Sequence, residues 1–254
     1  MSNKLELILQ QKKREVALLA RQIEMNHEHP VSRVMRGQIQ LEKRSNFRNA
    51  LQSTSLAVIA EIKRKSPSKG LIAPILDPAQ LAERYIAGGA SALSILTDHE
   101  FFGGNIHDLS EVANSIRNRP VPIIRKDFII DKIQIAEAVV SGASAVLLIV
   151  AALGDKIYDL QAFAHSVNLD VLVEVHDEAE LDIALACGAN IIGINNRDLG
   201  TFVVDSERSL QLVKSIPSNI IKVAESGITD PLHARNYYHA GFNAVLIGEA
   251  LVRS

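Results

Sequence analysis

Five short apolar runs in this chain end in side chains that can move or hold protons. In Ile59-Ala60-Glu61-Ile62-Lys63, Glu61 and Lys63 fall in phase with Ile59. Lys126 is in phase with Ile124, and Glu174 with Leu172. Gly193-Ile194-Asn195 ends in an amide and Val223-Ala224-Glu225 in a third glutamate. Alternate residues of a strand share a face. If these runs are strands of one barrel, two lysines, three glutamates and an asparagine converge on one cavity. A lysine among carboxylates stays protonated near neutrality and can donate a proton, and a glutamate partly stripped of water beside it can accept one. A single charged strand end is an ordinary ion pair that contributes little. Five on one face are costly to bury and mark a functional site. The chemistry they suit is proton transfer to and from a polar organic substrate, with no redox cofactor, metal or nucleophilic cysteine required.

The elements that must position them come from a repeat. Segments 88–96, 141–149, 187–195 and 240–248 share the glycines Gly89, Gly142, Gly188 and Gly241, spaced 53, 46 and 53 residues apart. Each glycine closes a helix-like segment, where a left-handed residue is wanted. Each precedes an apolar run suited to a strand buried on both faces. Four further strands are read at Leu56–Lys63, Val121–Lys126, Asp170–Val175 and Ile220–Glu225. Interleaved, the eight strand cores begin near 58, 92, 122, 145, 171, 191, 220 and 244, a step of about 27 residues that suits one βα unit. Helical patterns fill Pro78–Ala87, Gln134–Val140 and Glu178–Ala186, with Asp77, Asp131, Asp177 and Asp205 at N-cap positions. The expectation is an α/β fold, a (β/α)8 barrel of the TIM type over residues 51–254. A doubly wound open sheet is the competitor, but its edge strands would break the even repeat. Residues 1–50 read as an N-terminal helical extension packing on the barrel, helical over Leu5–Ile23, in a single domain overall. Only Glu249–Ser254 follow the last strand, so the last outer helix is expected to be short or absent. A monomer is expected, with fusion to or association with another enzyme left open.

Composition bounds the function classes. The chain has 254 residues, 27 basic and 29 acidic, for a formal charge of −2. That balance argues against nucleic-acid binding. Cys187 is the single cysteine, so no intrachain disulfide or thiolate cluster forms. The longest apolar run, Ala145 to Leu153, is far short of the ~20 residues that span a bilayer. The polar N-terminus is no signal peptide, and a cytoplasmic location follows. His27 and His29, two apart in a polar loop, lack a third metal partner. His176 reads as the start of a helix, and Gln11-Lys12-Lys13-Arg14 as a solvated helix face.

Glu225-Ser226-Gly227-Ile228 and Gly248-Glu249 follow the last two strands. Turns there present backbone N–H groups to an anion, the usual phosphate position in this fold. Arg64 and Lys65 are near enough in sequence to add positive charge. Their loop lacks the spacing of a Walker A motif.

Taken together, these motifs resemble indole-3-glycerol phosphate synthases. The resemblance rests on 60–70 (AEIKRKSPSKG), 93–98 with Phe101-Phe102-Gly103-Gly104, 125–131 (RKDFIID), 147–150, 172–176 (LVEVH), 193–199 (GINNRDL), 224–228 (AESGI) and 246–249 (LIGE). It runs from about Leu56 to Arg253 and includes the extra N-terminal helix. It implies a carboxy-lyase of tryptophan biosynthesis that closes the indole ring of 1-(2-carboxyphenylamino)-1-deoxyribulose 5-phosphate without a cofactor. By the resemblance, Lys126 is the principal general acid and Glu174 the general base of the final steps. Lys63 contacts the substrate carboxylate and assists proton transfer. Glu61 and Glu225 orient lysines and substrate hydroxyls, Asn195 contacts the reacting centre, and Arg197 orients the set. Phe102 and Pro67 line the anthranilate ring, with Ser66 and Lys65 also at the substrate. Ser226, Gly227, Gly248 and Glu249 form the phosphate site, Glu249 lending its N–H while its side chain turns away. Other phosphate-binding barrel enzymes stay open as alternatives: an aldolase forming a Schiff base through Lys126, or a sugar-phosphate isomerase, over which the paired lysines favour the synthase. A non-catalytic barrel subunit would leave the strand-end charges dispensable.

Overall fold

Eight parallel strands close into a ring in the computed structural model of the protein, which describes residues 4–26, 28–39 and 45–253. The chain enters through helices α1 (Lys4–Met25), α2 (Pro30–Met35) and α3 (Phe47–Ala50). Strand β1 (Ala57–Ile62) is followed by a two-stranded antiparallel hairpin, β2 (Lys65–Ser66) and β3 (Gly70–Leu71), then by α4 (Pro78–Ala87). The units continue with β4 (Ala92–Leu96), α5 (Ile106–Ser115), β5 (Ile123–Lys126), α6 (Lys132–Val140), β6 (Ala145–Ile149), α7 (Val150–Leu153) and α8 (Lys156–Ser166). They end with β7 (Asp170–Val175), α9 (Glu178–Ala186), β8 (Ile191–Asn195), α10 (Ser206–Leu212), β9 (Ile221–Glu225), α11 (Pro231–His239), β10 (Ala244–Ile247) and α12 (Glu249–Val252). Around the ring the order is β1-β10-β9-β8-β7-β6-β5-β4. Closure of β10 onto β1, with Ala57 opposite Ala244, excludes the open sheet. The last helix is short, as expected.

Local chemistry sets the boundaries. Asp77, Asp131, Asp177 and Asp205 all cap their helices, each accepting a backbone N–H on its side chain. The four repeat glycines take φ of +92° (Gly89), +99° (Gly142), +76° (Gly188) and +97° (Gly241), where a side chain would be strained. Strand alternation divides the core in two. Ile59, Ile124, Leu147, Leu172, Val223 and Leu246 belong to the cluster inside the barrel. Their neighbours Ala60, Ile123, Leu148, Val173, Ala224 and Val245 pack outward with the helices.

The N-terminal elements meet both ends of the ring. Phe47 and Leu51 join the inner cluster, and the Arg48 N–H donates to Asp170 at the start of β7. At the opposite end, the Lys12 ammonium of α1 sits 2.8 Å from Asp98 and 2.9 Å from Asp127, the residues that follow β4 and Lys126. Lys12 is 0% exposed, which overturns the solvated-face expectation for that residue. A lysine in water would forgo these two buried carboxylates, leaving Asp98 without this cation and Asp127 with Arg125 alone. His29 caps α2, its Nδ1 accepting the Val31 N–H. His27 lies outside the described residues. Among the described residues, no helix is long and apolar enough to cross a membrane.

Candidate active site

The carboxyl ends of the barrel strands surround a cavity of about 700 Å3. Its floor is apolar, formed by Leu147, Ile149 and Leu246. Above it stand Glu61, Lys63, Lys126, Glu174, Asn195 and Glu225, all lining the cavity. Strands β1, β5, β7, β8 and β9 each contribute, because each ends its inward row on a polar residue at a similar height. Asn195 is in register with Glu225.

Lys126 is the hub. Its Nζ lies 3.1 Å from Glu174 Oε2 and 3.2 Å from Glu225 Oε2. Asn195 Nδ2 donates to the other oxygen of Glu174 at 3.0 Å. Lys63 Nζ is 2.6 Å from Glu61 Oε1. Close approach of the backbone matters here. A side chain at Gly193 would run into the Glu225 carboxylate, and one at Gly248 into that of Glu61, so these glycines leave the space the carboxylates occupy.

The charges are set by this crowding. Burial favours a neutral Lys126, but Glu174, Glu225 and Glu61 overcome it and hold the ammonium well above the ordinary lysine range. Burial likewise opposes ionisation of Glu174. The Lys126 charge, the His176 ring and the Asn195 hydrogen bond outweigh it and keep Glu174 below the usual carboxylate range. Glu225 goes the other way. Burial pushes it up, Lys126 pulls it down only in part, Glu174 pushes it up again, and it stands at about 7. The two carboxylates that share one lysine are thus driven apart, one ionised and one near half-protonated at neutrality.

That raised value carries a stability consequence. Between the ordinary value of 4.5 and about 7, the folded protein holds a proton on Glu225 that the unfolded chain releases. This group's contribution to stability therefore falls as pH rises through that window. Glu225→Gln removes the ionisation. The variant-minus-parent difference in Tm is expected to be more positive at pH 8 than at pH 5. Equal differences at both pH values would refute the assignment of the proton.

Aromatic side chains supply the flat walls. Phe102 and Phe128 lie with ring centroids 6.1 Å apart, and Phe202 also lines the cavity. Arg197 donates to Ser68 Oγ at 3.3 Å and to the Phe202 carbonyl at 3.1 Å. It thereby ties the loop after β8 to the hairpin after β1. Ser66 lines the cavity, but Lys65 and Pro67 are not among its lining residues. The hairpin turns them aside, and the Lys65 ammonium donates to the Glu100 carbonyl. Arg64 is also directed elsewhere, paired with Asp108.

Ser226, Gly227, Gly248 and Glu249 sit together at the cavity's rim. Ser226 (φ +63°) and Gly227 (φ +78°) are both left-handed, a strained turn for serine. It is held by Asn196, whose Nδ2 donates to the Ser226 carbonyl at 3.0 Å and to the Tyr237 hydroxyl at 2.9 Å. Successive residues of this kind make an anion-binding concavity from backbone N–H groups. The Glu249 carboxylate lines the rim and is neutralised there by Lys69 at 2.7 Å and Arg253 at 3.2 Å. Ser68, Lys69 and Phe128 fall within the motifs at 60–70 and 125–131 but were given no role, and Arg253 and Phe202 lie outside every motif; loops after different strands bring them together.

Comparison with known proteins gives this cavity its context. A family profile described as Indole-3-glycerol phosphate synthase matches residues 5–254. A protein of that name from Pelodictyon phaeoclathratiforme is 47% identical over 253 residues, 98% of this chain and 95% of its own length. One from Chloroherpeton thalassium is 49% identical over 209 residues, 82% of this chain and 79% of its own. Among solved structures, an N-acetylmannosamine-6-phosphate 2-epimerase from Clostridium perfringens superposes with a TM-score of 0.63. That match has 14% identity and covers 84% of this chain and 93% of the other. At that identity the likeness speaks to the barrel alone.

Proposed function

This chain belongs to the indole-3-glycerol phosphate synthase family, and from that premise we propose how its residues divide the reaction. The activity is that of a carbon–carbon lyase of tryptophan biosynthesis. It closes the ring of 1-(2-carboxyphenylamino)-1-deoxyribulose 5-phosphate, then decarboxylates and dehydrates it to indole-3-glycerol phosphate. The observation that best supports the division of roles is Lys126 bridging Glu174 and Glu225 at 3.1 and 3.2 Å.

Lys126 is the general acid. As the ring carbon bearing the carboxylate attacks the ribulose carbonyl, a carbon–carbon bond forms and the carbonyl oxygen takes the Lys126 proton. Carbon dioxide then departs and its bonding pair restores the ring. The new hydroxyl leaves as water after taking a second proton, and Glu174 accepts one from the carbon beside nitrogen. Two protons enter and one leaves, so each turnover of the carboxylate substrate takes up one proton. Lys63, paired with Glu61, receives the substrate carboxylate and assists the later transfers. Asn195 holds Glu174 and contacts the reacting centre, and Glu225 keeps Lys126 aimed. Arg197 braces the loops, Phe102 faces the anthranilate ring, and Ser66 borders the substrate. The turns at Ser226–Gly227 and Gly248–Glu249 take the phosphate. A Schiff-base aldolase needs a neutral amine, which three carboxylates deny Lys126.

The partner is a phosphorylated small molecule, and we place the enzyme in the cytoplasm as a monomer free to associate with another tryptophan-pathway enzyme. The chain contains no Trp, so indole fluorescence reports product directly. Glu174→Gln is expected to slow product formation by about 10²–10⁴-fold with the fold intact. A folded variant turning over at the parent rate would remove Glu174 from the mechanism.

A further inference from the structure

His176 stands two residues beyond Glu174, buried at 7% exposure and outside the cavity lining. Its Nε2 is 3.5 Å from Glu174 Oε1 and, though buried, has no hydrogen-bond partner. Its Nδ1 is 3.0 Å from Glu180 Oε2, which also accepts the His176 backbone N–H at 2.9 Å. Glu180 is at the start of α9, partly open to solvent. One ring nitrogen is thus anchored to a carboxylate, and the other points unpaired at the group read above as the general base.

We propose that His176 is the proton reserve of the reaction, an imidazolium anchored by Glu180 that gives its Nε2 proton to Glu174 once per turnover. This rests on the reading of Glu174 as general base. The bookkeeping of the reaction calls for such a group. One proton is consumed per turnover, while a substrate that fills the cavity displaces the water that would deliver it. The step balances simply. The Nε2–H bond of the cation breaks, the proton passes to Glu174 and on to Lys126, and a neutral ring with Nδ1–H on Glu180 remains. The ring recovers its proton through Glu174 when product leaves and water returns. The charges facing the ring are Glu174 on β7, Glu180 on α9 and Glu225 on β9. Against burial, they hold His176 above its ordinary value, with the Glu180 hydrogen bond foremost. His176 touches no substrate and acts through Glu174, so it is a positioning residue with a proton to give.

The test compares His176→Gln, Glu180→Gln and Glu174→Gln with the parent, measuring kcat and KM from pH 5.5 to 9. His176→Gln is expected to lose about tenfold in kcat with KM nearly unchanged, the smaller end of acid–base effects because the transfer is indirect. Glu180→Gln keeps the ring but removes the anchor of its cation. The alkaline limb of its kcat profile is expected to move to lower pH, a change that a merely structural role would not produce. An unmoved limb in Glu180→Gln, or a parent-like kcat in folded His176→Gln, overturns the proposal. If His176→Gln does not fold, the Glu180→Gln profile decides alone. Parent-like turnover in Glu174→Gln would instead overturn the general-base reading and the proposal with it.

Discussion

Lys126→Met is expected to lower kcat by about a thousandfold or more while the barrel still forms. The ammonium is the only group bridging Glu174 and Glu225 among the described contacts, and direct proton transfer contributes about 10²–10⁴ in rate. The thioether fills the same space but carries neither proton nor charge. Two buried carboxylates then face each other without their cation. Breaking one side of a buried ion pair costs about 3–5 kcal/mol. Glu225 offsets part of this, since it already stands at about 7 and rises further when Lys126 is gone. The sign follows from its protonation: the variant is expected to resist heat better at pH 6 than at pH 8. Product formation within tenfold of the parent in folded Lys126→Met would sink the general-acid role.

Lys12→Met should have the largest effect on stability. Lys12 is completely buried between Asp98 and Asp127, with Glu15 at 2.7 Å on its own helix. Removing it leaves buried Asp98 without that cation and Asp127 with Arg125 alone at 3.2 Å, a loss of about 3–5 kcal/mol from a total of about 5–15 in a typical protein. For a chain of this size that lowers Tm by about 10 °C or more. The network also borders the site. Asp98 accepts the N–H groups of Phe101 and Phe102 at 2.8 and 3.1 Å. Asp127 follows Lys126 and accepts from Thr97 at 2.5 Å. A rise in KM is therefore expected beside the loss of stability.

The pH dependence of that loss can be given a sign. Burial resists ionisation of Asp127, but Lys12 and Arg125 hold it below the ordinary range. Its contribution is present above the unfolded value and is lost as pH falls through the folded one. Lys12 is raised above the ordinary lysine value, burial being overcome by Asp127 and Asp98, so its contribution persists to well above neutrality. The deficit of Lys12→Met should be large at pH 7 and shrink toward pH 3. A uniform deficit across that range would place the cost in packing alone.

The barrel was legible because its signals are local. An apolar run, an aspartate cap and a left-handed glycine each act within a few residues, and their repetition located the start of each of the eight strand cores to within about one residue, although the strand read from Val121 begins at Ile123. The face of each strand was legible too, since alternation by two is a property of the backbone. That is why Glu61, Lys63, Lys126, Glu174, Asn195 and Glu225 could be placed on one face before any contact was known. Even Lys12 had a trace: it interrupts an apolar stripe of Ile8, Val16, Leu19 and Ile23 on α1.

What the sequence determined by itself was therefore which residues form strands and which of their side chains face inward. Only the tertiary structure decided who meets whom. Glu174 and Glu225 take opposite protonation tendencies because ring closure sets them on either side of one lysine, and no spacing along the chain encodes that. Lys65 and Pro67 are turned from the cavity by a hairpin of two residues per strand, too short to leave a periodic pattern. Lys12 acquired Asp98 and Asp127 only when α1 crossed to β4 and β5, whereas Glu174 and Glu180 lie within four residues of His176 and only their distances and burial were left to the fold. Electrostatic energy depends on distance and burial, and both are set by the folded chain as a whole.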